Sequence, residues 1–193
     1  SYFTAISSEN YEWSNFNMQF INDISATELD FLSIPLHKDN NLVSFYLLPQ
    51  NTTISSVVED IQDNILGVIG AATSSQFLVE DNIWVGSLTE FDTYSGYWLY
   101  MGDSSDTLDI IGAGIDYNKQ YNLNEGLNLI SFPVPGSVGI SEGIPDDIET
   151  SVSYIISEAV AAVQINGEWV GSLDKFESAK GYWFNVSEEL VFE

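Results

Sequence analysis

The sequence predicts an α+β fold dominated by strands: two tandem, duplicated β-α-β-β-β-β modules preceded by an N-terminal arm. Three observations predict it. Trp84-Val85-Gly86-Ser87-Leu88, Phe91 and Gly96-Tyr97-Trp98 recur as Trp169-Val170-Gly171-Ser172-Leu173, Phe176 and Gly181-Tyr182-Trp183. The internal spacing is the same and the shift is 85 positions (169 minus 84). Strand-like runs bounded by turn residues precede each copy, with Leu42 and Leu129 in matching places at a shift of 87 (129 minus 42). Finally, 193 residues at 45% hydrophobic and 13% aromatic content hold enough apolar material for a packed core in one large domain or two small ones.

Residues 1–28 match neither copy and form the arm. Phe16, Met18 and Phe20 alternate with Asn17 and Gln19, the period of a half-buried strand. Tyr2, Phe3, Tyr11, Trp13, Phe16 and Phe20 are its candidates for contacts with a neighbour or with the chain's own first module.

The first module is expected over residues 29–114. Ile34 and Leu36 lead to the turn Asp39-Asn40-Asn41, and Leu42 to Leu48 reads as a strand ended by Pro49, which removes a ladder donor. Ser55 is placed as the N-cap of a helix with Glu59 and Asp60 in its opening turns and Val57, Val58, Ile61 and Ile65 on one face. Leu66 to Ala72 reads as the next strand, Ser74 to Asn82 as a long loop, and Thr107 to Ile111 as the last strand. Gly112-Ala113-Gly114 reads as the linker.

The second module is expected over residues 115–193. Tyr121 and Leu123 precede Glu125-Gly126, and Leu129 to Pro135 is the equivalent strand. Ser141 caps a helix through Ile144, Ile148 and Val152 that Gly143 and Pro145 weaken. Tyr154 to Ala162 continues as strand. Asn166-Gly167 is a type I′ hairpin turn, with both residues at positive φ. Leu190 to Phe192 closes the chain.

Within the motif, Gly86 and Gly171 mark a bend or a close backbone approach at a strand end, and Leu88 with Phe91, or Leu173 with Phe176, fit one helical turn. Trp84, Gly86, Leu88, Trp98, Trp169, Gly171, Leu173 and Trp183 are expected to form the repeat core, the four Trp largely buried at equivalent positions.

Charge excludes several partners. The chain carries 29 acidic and 4 basic residues, a net charge of −25. Binding nucleic acid releases counterions through Lys and Arg, which are scarce here, and an anionic membrane surface is disfavoured for the same reason. Such acidity suits solubility in a salty medium, where screening acts over about 10 Å. No Cys is present, so there is neither disulfide nor thiolate chemistry, which leans toward a prokaryote or its viruses. No run of about 18 apolar residues exists to insert in a membrane. Ser1-Tyr2-Phe3-Thr4 has no basic or apolar leader region. Its Ser is what trimming of an initiator Met leaves, so an intact small protein is expected.

Chemical sites are scarce. His37 stands in a turn beside Lys38 and Asp39 and reads as a surface residue. Ser44 and Ser131 recur, but one His does not serve two Ser-His sites. Asp103, Asp106 and Asp109 are weak candidates for Ca²⁺, with loop carbonyls and water completing the shell; they lack the EF-hand spacing, and a solvated acidic loop is the plainer reading. No other cofactor is expected and no catalytic residue is identified. Repeated Trp and Tyr suit either core packing or a sugar-stacking platform.

Asn41-Leu42-Val43-Ser44-Phe45-Tyr46-Leu47-Leu48-Pro49, Gly67-Val68-Ile69-Gly70, Trp-Val-Gly-Ser-Leu and Gly-Tyr-Trp together resemble a repeat of virion structural proteins of marine tailed phages, cyanophages in particular, with similar repeats in surface proteins of marine bacteria. The resemblance covers about residues 30–193. It implies a non-enzymatic module at the virion surface, a capsid decoration (cement) protein or a fibre or tail accessory, whose partners are capsid or tail subunits and other copies of itself. The alternative it implies is a carbohydrate-binding adhesin on a bacterial surface, with a host glycan as partner.

Overall fold

The computed structural model describes residues 29–113 and 118–193. The arm's expected strand and its contact candidates Tyr2, Phe3, Tyr11, Trp13, Phe16 and Phe20 lie outside the described residues. The fold is strand-dominated, with several antiparallel sheets and helices of one turn each.

The first half runs β1 (Leu29–Leu36), β2 (Asp39–Ser44), α1 (Ile54–Val57), a 3-10 turn (Glu59–Ile61), β3 (Ile65–Ile69), β4 (Ser74–Leu78), β5 (Ile83–Gly86), β6 (Gly96–Met101) and β7 (Asp106–Ala113). Five strands form one antiparallel sheet in the order β2-β6-β3-β4-β5, and β1 pairs with β7 as a separate ribbon from Leu29↔Ala113 to Leu36↔Asp106. Alternation decides the faces. Leu32, Ile34 and Leu36 of β1 and Leu108 and Ile110 of β7 turn inward. They meet Ile54, Val57, Val58 and Ile61 of the helical turns and Val43, Val68, Tyr97, Leu99 and Met101 of the sheet.

The second half runs β8 (Tyr121–Leu123), β9 (Gly126–Ser131), β10 (Ser137–Gly139), α2 (Ile140–Gly143), α3 (Asp146–Glu149), β11 (Val152–Ser157), β12 (Val160–Ile165), β13 (Glu168–Gly171), β14 (Lys175–Glu177), β15 (Gly181–Val186) and β16 (Leu190–Phe192). Its sheet has the order β9-β15-β11-β12-β13, β8 pairs with β16, and β10 with β14. The register slips once in each large sheet, between Ile65 and Gly67 and between Val152 and Tyr154. Phe91 meets Tyr97 edge-on at 4.8 Å, and Phe176 meets Tyr182 edge-on at 5.0 Å.

Several expectations are corrected. β1 and β8 are strands, and each pairs with the last strand of its half, so Ile34, Leu36, Tyr121 and Leu123 are ribbon residues. β7 continues through Ala113, so Gly112 and Ala113 belong to a strand and not to a linker. The Ser55 helix is one α turn followed by one 3-10 turn, and its expected last apolar position, Ile65, already begins β3. The Ser141 helix breaks into α2 and α3, because Pro145 has no N–H to continue the first. The supposed loop from Ser74 opens with β4. β2 and β9 stop at Ser44 and Ser131, ahead of Pro49 and Pro135.

The motif is extended and not helical at Leu88–Phe91, while Phe176 lies in β14. Its glycines stand at a close backbone approach. Ser87 and Leu88 N–H both donate to Ser74 O, at 2.9 and 3.2 Å, and Ser172 and Leu173 N–H both donate to Ala161 O, at 2.9 and 3.0 Å. A Cβ on Gly86 or Gly171 would land on that same carbonyl oxygen. The hairpin turn adopts the expected backbone, with Asn166 at φ 54° and Gly167 at φ 84°.

Trp84, Trp98, Trp169 and Trp183 are half-buried, not core. Trp84, Leu88 and Trp169 pack on the rims of the two cores, and Leu173 is buried within the second. Trp98 and Trp183 sit on the opposite faces of their strands and join neither core. The neighbouring Tyr97 and Tyr182 take the interior instead. Their hydroxyls accept from the backbone N–H of Asp92 at 2.9 Å and of Glu177 at 2.7 Å, five residues upstream in each case. Burial pushes the Tyr182 hydroxyl up to about 12, partly offset by the Glu177 N–H, and raises Tyr97 further still.

The halves meet through reciprocal contacts. Ser44 N–H donates to Ala179 O at 3.1 Å, and Ser131 N–H donates to Tyr94 O at 2.9 Å. Ser44 Oγ donates to Lys180 O, and Ser131 Oγ to Thr93 O, each at 2.6 Å. Single bridges pair Val43 with Lys180 and Ser95 with Ile130. A Cβ on Gly181 would stand 2.9 Å from Val43 O, and one on Gly96 would stand 2.7 Å from Leu129 Cδ1. The glycine of each Gly-Tyr-Trp is thus where the other half approaches.

Candidate interaction surfaces

The outward faces of the two five-stranded sheets follow directly from register. Across the first sheet, one row reads Asn40, Tyr100, Gly67, Gln76, Val85, and the next reads Leu42, Trp98, Ile69, Ser74. Across the second sheet, the rows read Leu127, Asn185, Tyr154, Val163, Val170 and Leu129, Trp183, Ile156, Ala161. Not one of these positions holds Asp, Glu, Lys or Arg. In a chain with 29 acidic residues, that leaves two uncharged rows on each outward face, with Glu168, the partner of Ile165, bordering those of the second sheet.

The faces differ in relief. In the first, Gly67 leaves the middle of the row without a side chain, and a shallow basin of about 840 Å³ forms there between Asn40, Ile69, Gln76, Val85 and Tyr100. In the second, Tyr154 fills the matching place, and Leu127 and Val163 stand where Asn40 and Gln76 stand in the first. That second face is flush and mostly apolar, with Asn185 in the row and Glu168 at its border. Val163 is 45% exposed and Val170 52%, with Leu127 and Ile156 also open.

Leu42 and Leu129 belong to these faces by register yet are buried. Each is covered by the other half at Gly181 or Gly96. The edges β2 and β9 are therefore occupied, while β5 and β13 have a strand neighbour on one side only.

The sequence-derived chemical candidates are used structurally or stay apart. Ser44 and Ser131 hold the junction, and Ser131 Oγ lies 2.6 Å from the Tyr121 hydroxyl. Burial pushes that hydroxyl up to about 12. Asp109 accepts from Ser33 Oγ at 2.6 Å, Asp106 accepts from the Thr107 N–H at 2.9 Å, and Asp103 lies in the preceding bend. Among the described residues no three His, Asp or Glu side chains come together to hold a metal ion. No helix there is long and apolar enough to cross a membrane.

Two residues were missed in sequence. His37, read as a surface residue, remains exposed but bonds to Glu158 across the junction. Its ring is held above the usual histidine range by the Lys38 carbonyl first and by Glu158 second. Lys119 is buried, 6% exposed, and its ammonium donates to Thr93 O while lying 4.3 Å from the Tyr94 ring centroid. Glu158 and Thr93 each come from the other half of the chain, so neither contact carries a local signal.

No family model, curated protein or solved structure matches the chain.

Proposed function

We propose that the chain is a non-enzymatic structural module that works by docking on other proteins at the surface of a phage-type particle, as a capsid decoration protein or a fibre or tail accessory. The observation that carries this reading is the flush, apolar patch of Leu127, Tyr154, Ile156, Val163 and Val170 on a chain of net charge −25. Exposed apolar patches on soluble proteins mark contact sites, and burial there contributes about 25 cal/mol per Å². The surrounding acidity keeps free chains apart until a complementary surface covers that face. The recurring hydroxyls of Ser44 and Ser131 are committed to the junction, which supports a structural rather than catalytic use of the repeat.

The two halves are, on this reading, duplicated modules. The same strand order, the same slip of register and the reciprocal contacts of Ser44 and Ser131 support it. Their junction has the form of an isologous contact built into one chain. Partners are capsid or tail subunits, and other copies of the chain. Purified particles of the source virus test the setting: mass spectrometry finds the chain in stoichiometric amount on them, and its absence from every particle fraction rejects the virion reading.

A further inference from the structure

We propose that the open face of the first five-stranded sheet is a binding site for a short neutral oligosaccharide, seated in the basin over Gly67. The proposal stands on residues other than those of the docking face, and it holds whether or not the chain sits on a particle. Three observations carry it.

The basin is concave where its counterpart is filled. Gly67 occupies the row position that Tyr154 occupies in the second sheet. The missing side chain creates the floor of the 840 Å³ depression. Small-molecule sites are concave, with a few polar groups that fix orientation.

The walls then match a sugar rather than a protein side chain or an ion. Tyr100 lines the basin and is 43% exposed, so ring surface is available to the apolar C–H face of a pyranose. Exposed amides stand on both sides, Asn40 on β2 and Gln76 on β4, three strand spacings apart. At about 4.8 Å per strand that is roughly 14 Å, a span for a short chain of sugars and not for one. Each amide offers both a donor and an acceptor, the pairing that a vicinal diol presents. At the equivalent positions the second sheet has Leu127 and Val163, which offer neither.

Charge selects the ligand class. No charged group lies in either row of this face, so a sulfated or carboxylated glycan finds no cation there and meets the repulsion of the net −25 around it. A neutral glycan meets neither obstacle.

The test uses the full chain and a panel of neutral oligomers of glucose, N-acetylglucosamine, mannose and galactose, read by saturation-transfer NMR and by titration. At least one member binds with a dissociation constant on the order of 1 mM or tighter, unchanged by added salt. Tyr100→Ala weakens it about tenfold or more, a loss of about 1.4 kcal/mol. The double variant Asn40→Ala/Gln76→Ala, confined to exposed side chains, does the same with its melting temperature unchanged. Asn185→Ala, which takes the row position of Tyr100 on the second sheet, leaves binding intact. Failure of every panel member to bind up to about 10 mM overturns the proposal, as does binding that survives both basin variants or is lost equally in Asn185→Ala.

Discussion

The imidazole Nε2 of His37 is hydrogen-bonded to the Glu158 carboxylate, 121 positions away in the other half of the chain. The second carboxylate oxygen accepts from the Leu42 N–H at 2.9 Å. One acidic side chain thus ties a turn and a strand edge of the first half to the second. The His37 ring is raised above its unfolded value by the Lys38 carbonyl first and by Glu158 second, against the opposing effects of desolvation and of Lys180. For a raised histidine, the stabilisation is fully present below the unfolded pKa and is lost as pH rises through the folded one. His37→Gln is therefore more destabilising at mildly acidic pH than at mildly alkaline pH. Thermal melts of both proteins across that window measure it, and a gap that does not shrink as pH rises contradicts the assignment.

The junction glycines predict a pair of equivalent defects. Gly96→Ala forces a methyl against Leu129 and Ile130, and Gly181→Ala forces one against Val43 O and Leu42. Each costs about 1–3 kcal/mol by overpacking. Gly126→Ala is the control: its φ is +96° but a Cβ there meets open space, so it costs only about 1 kcal/mol of backbone strain. Urea unfolding of the three variants gives the order.

The two motif tryptophans on the sheet edges have different polar fates. Trp169 Nε1–H donates to Glu149 Oε1 at 2.7 Å, while the Trp84 Nε1–H is buried without a partner among the described residues. An unmet buried donor costs about 1–3 kcal/mol. Trp84→Phe removes that donor, whereas Trp169→Phe breaks a bond to a carboxylate. The second substitution is the more destabilising, by roughly 1 kcal/mol or more, in paired denaturant titrations.

Tyr97 and Tyr182 predict matched losses. Phe at either position leaves a backbone N–H, of Asp92 or of Glu177, without its acceptor. Each costs about 1–3 kcal/mol, measured by urea unfolding. Because burial raises both hydroxyls, their contribution is full below the ordinary tyrosine range and is lost as pH climbs past it.

Strand dominance was legible because hydrophobic period and turn chemistry are local. The Asn166-Gly167 hairpin came directly from its residues. The ribbons β1/β7 and β8/β16 were not legible, since each joins the two ends of a half and no short-range pattern encodes that pairing. The Trp were placed too deep because size suggested core, whereas strand alternation gives the interior to Tyr97 and Tyr182 and turns Trp98 and Trp183 outward. The role of Gly96 and Gly181 needed the other half in view. The uncharged rows were hidden for a related reason: Asn40, Gln76 and Tyr100 are far apart in sequence and meet only through register.

The docking reading rests on the second sheet's face, and one measurement addresses it directly. Labelled wild-type chain and the double variant Val163→Glu/Val170→Glu, first shown to melt alike, are added to source particles that lack the chain and then pelleted. The account predicts saturable binding of the wild type and at least about a tenfold loss in the variant, since two buried carboxylates at a contact cost well over 1.4 kcal/mol. Equal pelleting of the two proteins, or no pelleting of the wild type, contradicts it.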